Sequence, residues 1–250
     1  MRNNIKKIIK SITPPIIWEG GKALLNKKDV PQIEKNKTPQ VEKKQRVNKN
    51  TAKQAKNKIK GEEKGADWYD SSFDNHAHWK KHYSLSKYYF LWTVIADRIS
   101  KSQYDSLLEV GCGTGQLANL LKDKGISKYH GFDFSPKRIE QAKKNCEGFD
   151  FSLQDAFKTE LFNELDYNAV ICTEFLEHVE GDLEVLKRIK SGTKFYGTVP
   201  NFPYTSHVRH FKNEAEVFER YQNCFKEMEV DTFLANNHGK KFFLIEGVLN

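Results

Sequence analysis

Hydrophobic and polar residues alternate in short blocks from about residue 106 to the C-terminus. Short apolar runs predict five strands, at 106–110, 128–134, 149–153, 169–172 and 194–199. Three segments between them repeat their apolar positions at helical spacing, at 116–124, 136–145 and 180–190. Strands that alternate with helices in this way are typical of an α/β fold with a mostly parallel sheet.

The two ends of this region differ from its middle. Before the first strand, Tyr88, Leu91, Trp92, Ile95 and Ile99 fall on one helical stripe, which predicts a helix over 88–100. After the last helix, strand-like runs at 224–233 and 241–248 are separated by a polar, glycine-containing turn. We therefore expect an antiparallel hairpin at the edge of the sheet.

The first 65 residues lack the pattern of a packed domain. Isoleucines at 5, 8, 9 and 12 form a short stripe flanked by lysines, so residues 1–28 are predicted to be a cationic amphipathic segment. Such a segment can lie at a membrane surface through residues 1–18, or can dock on its own domain. Residues 29–65 carry no aromatic side chain and are predicted to be a disordered, lysine-rich linker, followed by a folded domain over 66–250.

Charge and cysteine content narrow the function classes. Residues 1–65 hold 18 basic against 6 acidic side chains, and residues 66–250 hold 23 against 27. The folded domain thus lacks the basic balance typical of a nucleic-acid binder, and we do not expect a nucleic-acid partner. Apolar runs fall short of the ~20 residues that span a bilayer. Four cysteines without a CxxC pair favour a reducing, cytoplasmic location, with contact at the inner membrane face as an alternative.

The first predicted strand runs directly into a turn with three glycines, Gly111, Gly113 and Gly115, and then into a helix. Gly111 and Gly113 can adopt positive φ and let the backbone approach a ligand closely. Gly115 lets the helix pack close to the strand. The spacing indicates a nucleotide-type ligand at the carboxyl end of the strand.

Acidic residues follow the next two strands at positions that suit such a ligand. Asp133 lies 18 residues after Gly115, near the ~20 expected for an acid that accepts hydrogen bonds from ribose hydroxyls. Asp155 follows the third strand, where a carboxylate could meet an adenine amino group.

The segment 109–115, Asp133, Asp155 and the segment 172–179 (CTEFLEHV) together resemble the successive motifs of class I S-adenosylmethionine-dependent methyltransferases. The resemblance covers roughly residues 83–248. It implies a Rossmann-like seven-stranded sheet of order 3-2-1-4-5-7-6, with strand 7 antiparallel and helices on both faces. A nicotinamide-dependent dehydrogenase would carry a further glycine where Gln116 stands, so that class is excluded.

The resemblance also implies which residues bind the cofactor, S-adenosylmethionine. Glu109 and the glycine turn would hold its methionine end, Asp133 its ribose and Asp155 its adenine, while Tyr83 and Lys87 would close the pocket from the N-terminal side. The predicted cofactor-binding residues are Tyr83, Glu109, Gly111, Cys112, Gly113, Gly115, Asp133, Phe134, Asp155, Ala156, Cys172 and Thr173.

Methyl transfer to oxygen requires removal of a proton, and histidine is the natural base near neutral pH. His178 follows the fourth strand, and His207 and His210 lie in the loop after the fifth. We predict His207 as the catalytic base with His178 second, and for each of them a structural imidazole is the alternative. Arg209 could bind a phosphate or carboxylate of the acceptor, or form a surface ion pair.

Glu174, Glu177 and His178 form an ExxEH pattern that resembles the metal-binding segment of small-RNA 2′-O-methyltransferases and ubiquinone-pathway O-methyltransferases. With a histidine from the next loop it could hold Mg²⁺ or Mn²⁺ against acceptor oxygens. The same pattern occurs in relatives with no known metal, and we predict no metal ligand.

The whole arrangement resembles bacterial methyltransferases associated with surface-polysaccharide gene clusters. This resemblance implies a sugar hydroxyl of a cell-surface glycan or its precursor as acceptor, and the chain's partners would be the cofactor and that acceptor. The alternatives are a metal-assisted O-methyltransferase for a small molecule, such as a quinone precursor, or for an RNA 2′-hydroxyl, and a non-catalytic cofactor-binding module.

Overall fold

A seven-stranded sheet forms the centre of the protein, and its strand order is β3-β2-β1-β4-β5-β7-β6. The computed structural model describes residues 61–235 and 238–250, so the predicted segment 1–28 and most of the linker 29–65 lie outside the described residues. The strands are β1 (Ser106–Val110), β2 (Lys128–Asp133), β3 (Asp150–Leu153), β4 (Ala169–Thr173), β5 (Lys194–Pro200), β6 (Phe225–Leu234) and β7 (Lys241–Leu249).

Strand directions agree with the predicted fold class. Strands β1 to β5 pair in parallel, and β7 runs antiparallel to both β5 and β6. The Rossmann-like methyltransferase sheet with a C-terminal hairpin is therefore confirmed. Among the described residues, no helix has the length and apolar content required to cross a bilayer.

Seven α-helices accompany the sheet in the described part of the chain. They are α1 (Ala66–Asn75), α2 (Tyr89–Ser100), α3 (Gln116–Asp123), α4 (Pro136–Asn145), α5 (Leu161–Glu164), α6 (Asp182–Arg188) and α7 (Glu214–Tyr221). The sequence pattern predicted α2, α3, α4 and α6, the last with ends two residues too long on each side. It did not predict α1, α5 or α7.

Two hydrophobic cores, one on each face, follow from the two-residue period of the strands. On β1, Leu107 packs into the core that contains α2 and α3, whereas Leu108 packs into the core that contains α6 and α7. Because both faces of the sheet are covered, a ligand can approach the sheet at the carboxyl ends of β1 and β4. In open α/β sheets, ligands bind at this position.

Gly115 shows why the first turn needs its third glycine. Its φ is +71°, a left-handed conformation that favours glycine. A Cβ at this position would lie 3.1 Å from the Cα of Ala142 in α4. Gly115 therefore permits close packing against α4, and this contact, not the predicted contact with the strand, requires the glycine.

Candidate active site

Two adjoining cavities open above the carboxyl ends of the parallel strands. The smaller has a volume of about 150 Å³ and lies beside β2 and β3. The larger, of about 210 Å³, extends from the glycine turn to the loop after β5. Tyr69, Gly111, Arg138, Glu174 and His178 line both, so one extended ligand can occupy the two together.

The glycine turn forms the boundary between the cavities. Gly111 and Gly113 have φ of +71° and +54°. A Cβ on Gly111 would lie 2.8 Å from Cδ2 of Phe175, so the turn leaves no room for a side chain there. The backbone N–H of Gly113 donates to Oδ2 of Asp133 at 3.0 Å, which fixes the turn against the end of β2.

The smaller cavity contains four of the predicted cofactor-binding residues, Asp133, Phe134, Asp155 and Ala156. The second oxygen of Asp133, Oδ1, accepts the N–H of Ser135 at 2.9 Å. Burial raises the pKa of Asp133, and the Arg138 guanidinium and these N–H donors oppose the rise. The carboxylate is thus held in one orientation at the cavity wall, as a ribose-binding acid must be.

The larger cavity contains Glu109, Cys112 and Thr173, which the sequence analysis also predicted. Glu109 is buried and accepts a hydrogen bond from the Tyr129 hydroxyl. Lys87 lines this cavity as well, and so does Tyr88, which was not predicted.

Three predicted residues lie elsewhere. Tyr83 lines neither cavity, because its hydroxyl donates to Oδ2 of Asp123 at 2.6 Å. Cys172 is packed in the core beneath β4, and Gly115 packs against α4. In this geometry Tyr88 occupies the place at the cavity wall that was expected for Tyr83.

The N-terminal helix α1 and the turn after it cover the cavities, a feature that the sequence analysis missed. The Arg138 guanidinium lies between the rings of Tyr69 and Trp79, at 4.7 Å and 4.3 Å from their centroids. Gln116 Nε2 donates to the carbonyl of Lys81 at 2.6 Å and so ties the turn to α3. The only sequence signal was the concentration of aromatic residues from Trp68 onward.

Residues 107–197, which include the glycine turn and Asp133, match a sequence family described as a methyltransferase domain. The chain contains a methyltransferase domain. Its methyl donor is S-adenosylmethionine, and the narrow glycine cradle and the oriented carboxylate of Asp133 suit that cofactor. No curated protein matches this sequence.

Solved structures with the same fold are distant in sequence. The methyltransferase superposes on magnesium protoporphyrin IX methyltransferase from Synechocystis PCC 6803 with bound S-adenosylmethionine, at TM-score 0.55 and 16% identity, covering 74% of this chain and 95% of that one. It superposes on 1,6-didemethyltoxoflavin-N1-methyltransferase from Burkholderia thailandensis at TM-score 0.56 and 15% identity, covering 74% of this chain and 86% of that one. It superposes on the [4+2]-cyclase SpnF at TM-score 0.53 and 14% identity, covering 64% of this chain and 80% of that one. At this identity they show the fold and not the acceptor.

The two predicted catalytic histidines of the methyltransferase meet at the wall of the larger cavity, with ring centroids 4.8 Å apart. Nδ1 of His178 lies 2.8 Å from the carbonyl oxygen of Ser206, and Nδ1 of His207 lies 3.0 Å from that of Phe202. A carbonyl only accepts, so Nδ1 carries the hydrogen and Nε2 keeps the lone pair in each neutral ring. Burial lowers the pKa of His178 to about 3 and of His207 to about 4, so both are neutral at pH 7.

Two glutamates lie beside the histidines. Glu174, at the end of β4, has a φ of +51° and accepts the Thr198 hydroxyl at 3.1 Å. Glu177 is fully buried, and neither of its carboxylate oxygens has a hydrogen-bond partner among the described residues. One ligand atom each from Glu177, His178 and His207 lie within 4.8 Å of one another, a spacing that could hold a metal ion.

Arg209 lines neither cavity, so of the two roles predicted for it the structure shows an ion pair and no contact with an acceptor. Its guanidinium donates to the carbonyl oxygens of Leu176, Val179 and Glu180 and lies 3.2 Å from Asp182. It therefore joins the loop after β5 to the turn after β4, and holds His207 and His178 together. His210 is exposed and lines neither cavity.

Glu109 offers a test of the electrostatics of the larger cavity. Burial raises its pKa to about 7, above the ordinary 4.5, although the Tyr129 hydroxyl opposes the rise. Because the pKa is higher in the folded protein, the folded state holds the Glu109 proton more tightly than the unfolded state does. The stability that this proton contributes is fully present below pH 4.5 and is lost as the pH rises through about 7. Glu109→Gln keeps an acceptor for Tyr129 but does not titrate. We expect the Tm of this variant minus the Tm of wild type to be at least about 2 °C larger at pH 8.5 than at pH 5.

Thermal unfolding at the two pH values measures this difference. Glu219→Gln, at an exposed position on α7, is the matched control and should follow wild type at both. A Glu109→Gln variant whose Tm relative to wild type does not change with pH would show that Glu109 is ionised throughout this range.

Proposed function

We propose that the methyltransferase O-methylates a sugar hydroxyl of a cell-surface glycan or its precursor. The observation that carries this proposal is His207 at the wall of the larger cavity, whose Nδ1 is bound to the carbonyl of Phe202 so that Nε2 keeps the lone pair that can accept a proton. A hydroxyl acceptor must lose a proton during transfer, whereas an amine that is already neutral needs no base before it attacks.

The residues have distinct tasks in this reaction. S-adenosylmethionine, when bound, would supply an electrophilic methyl group, which would pass from its sulfur to the acceptor oxygen with S-adenosylhomocysteine as the leaving group. His207 Nε2 takes the hydroxyl proton, while its Nδ1–H keeps the ring oriented through the carbonyl of Phe202. Arg209 maintains the loop that carries His207, and α1 limits the access of water to the reacting atoms.

Aromatic side chains at the larger cavity support a sugar ring as acceptor. Tyr88, Phe202 and Tyr204 line it, and Tyr204 is half-exposed. Aromatic rings offer broad apolar faces, and Tyr adds a polar tip, so such a wall suits a ring that is apolar on its face and polar at its rim. The cell-surface glycan is proposed from the resemblance in sequence described above. Contact of residues 1–18 with the inner membrane face is proposed from their pattern of isoleucine and lysine.

Transfer of labelled methyl from S-adenosylmethionine into fractionated bacterial lysate tests the proposal. The fractions are lipid-linked glycan, nucleotide sugars, other small molecules and RNA, each with and without EDTA. We expect label in a glycan or nucleotide-sugar fraction that EDTA does not change. Label confined to RNA or to a quinone precursor would contradict the proposed acceptor.

The second candidate function is metal-assisted O-methylation of a small molecule or RNA, which a separate observation favours. Neither oxygen of the buried Glu177 carboxylate has a hydrogen-bond partner among the described residues, Nε2 of His178 lies 3.7 Å from one of them, and a ring nitrogen of His207 lies within 4.8 Å. Carboxylate and neutral imidazole together suit Mn²⁺, and carboxylate oxygens suit Mg²⁺. An ion there would orient acceptor oxygens and would make the histidines ligands in place of bases.

Mn²⁺ titration of the EDTA-treated full chain distinguishes the two functions. If the site binds metal, Mn²⁺ raises the Tm of wild type but not of Glu177→Gln, while the exposed-site control Glu219→Gln responds like wild type. If the histidines act as bases without a metal, we expect Mn²⁺ to change the Tm of all three proteins equally. A Mn²⁺-dependent rise that Glu177→Gln abolishes, together with methyl transfer lost in EDTA, would establish the metal-assisted function.

A further inference from the structure

A short backbone segment crosses the active site before α1 begins. Residues 61–65, here called the strap, run from the loop that carries His207 to the smaller cavity. The N–H of Glu62 donates to the carbonyl of Thr205 at 3.2 Å. The carboxylate of Glu63 accepts the N–H of Glu180 at 2.8 Å, in the turn after β4.

Gly61 makes the closest of these approaches. A Cβ built on it would lie 2.0 Å from the carbonyl oxygen of His207 and 2.5 Å from that of Tyr204. Both are backbone atoms, and they cannot move aside as the end of a flexible side chain could. The strap can therefore rest on the turn 204–207 only with glycine at position 61. At Gly65, by contrast, a Cβ would meet nothing within 4 Å.

The strap also faces the cofactor pocket. Glu63 and Lys64 line the smaller cavity together with Asp133 and Asp155. A ligand that fills this cavity would therefore contact both the strap and the residues at the ends of β2 and β3. The strap touches the cofactor cavity, the turn after β4 and the loop of His207, which belong to three different parts of the fold.

We propose that the strap closes over bound cofactor, that it must open for the cofactor to exchange, and that Gly61 is a positioning residue through which closure sets the loop of His207. Because the cofactor and the strap stabilise each other, binding of one favours the ordered form of the other. Residues of the strap are exposed or half-buried and none belongs to either hydrophobic core, so the strap can open locally while the core stays folded. The part of this inference that concerns His207 rests on the proposed function.

Release of S-adenosylhomocysteine from the full chain, followed by stopped-flow competition, tests the strap directly. We expect Gly61→Ala to release it at least roughly fivefold faster than wild type, with Tm little changed, whereas Gly65→Ala releases it at the wild-type rate. Amide hydrogen exchange should agree. Saturating S-adenosylhomocysteine should protect Glu62 and residues 205–208 in wild type and in Gly65→Ala, and protect them much less in Gly61→Ala.

Equal release rates for Gly61→Ala and Gly65→Ala would overturn the proposal, and so would ligand-independent exchange at Glu62. Neither readout involves an acceptor, so the strap can fail while the proposed function holds. Conversely, methyl transfer that survives loss of His207 would contradict the proposed base and leave the release rates unaffected.

Discussion

Asp133→Ala is expected to weaken S-adenosylhomocysteine binding by at least about tenfold. The carboxylate accepts the N–H groups of Gly113 and Ser135, so it orients the glycine turn and α4 at once. It also lines the smaller cavity, where a ribose would add its own hydrogen bonds. Loss of charge-assisted bonds of about 1.5–3 kcal/mol each corresponds to a tenfold or larger loss of affinity.

Calorimetric titration of the full chain measures this affinity. Asp97→Ala is the matched control, because Asp97 is exposed on α2 and pairs only with Lys101 among the ion pairs of the described residues. Its affinity should equal that of wild type. Unchanged affinity in Asp133→Ala, in a protein that remains folded by circular dichroism, would remove Asp133 from the cofactor site.

Removal of His207 Nε2 is expected to lower the rate of methyl transfer by about 10²- to 10⁴-fold, the usual contribution of a general base. His207→Asn suits this test, because an amide N–H can replace the Nδ1–H bond to the carbonyl of Phe202 while no basic nitrogen remains. S-adenosylhomocysteine affinity should stay within about twofold of wild type, since the cofactor residues are untouched.

His210→Asn is the control for this experiment, because His210 lies in the same loop but is exposed and lines neither cavity. It should retain the wild-type rate. If His207→Asn lowers the rate only slightly while His178→Asn abolishes it, the base is His178. If both variants keep the wild-type rate, the histidines are structural.

The central part of the fold could be predicted because its signals are local. In β1, Leu107, Leu108 and Val110 are buried on alternating faces, and the three glycines of the turn that follows all have positive φ, a conformation that favours glycine. The positions of Asp133 and Asp155 follow from the regular length of the strand–helix units. Strand register and the order of the sheet then place them at one edge.

The N-terminal cover could not be predicted in the same way. Whether Tyr83 or Tyr88 reaches the cavity depends on the direction of a short turn, and that direction is set by contacts 35 or more residues away, such as the bond from Gln116 to the carbonyl of Lys81. The contact of the strap with the turn 204–207 could not be predicted either, because a glycine in a polar segment does not indicate that its backbone packs against another backbone.

Side-chain environments limited the prediction of the chemistry. His178 and His207 could be predicted from their positions, but their neutrality results from burial, and the lone pair on Nε2 results from the contacts of Nδ1 with carbonyl oxygens. For Arg209, in the same loop, contact with an acceptor anion and an ion pair were both open. Its guanidinium donates to three carbonyls of the neighbouring turn, which no local pattern reveals.

The atom that receives the methyl group tests the central claim most directly. Lysate incubated with the full chain and ¹³C-methyl-labelled S-adenosylmethionine can be examined by proton–carbon correlation NMR, which separates methyl groups on oxygen from those on nitrogen or carbon. We expect a new methyl ether signal in a glycan or nucleotide-sugar fraction, and we expect it to be absent with His207→Asn. A new N-methyl or C-methyl signal, with no methyl ether, would contradict it.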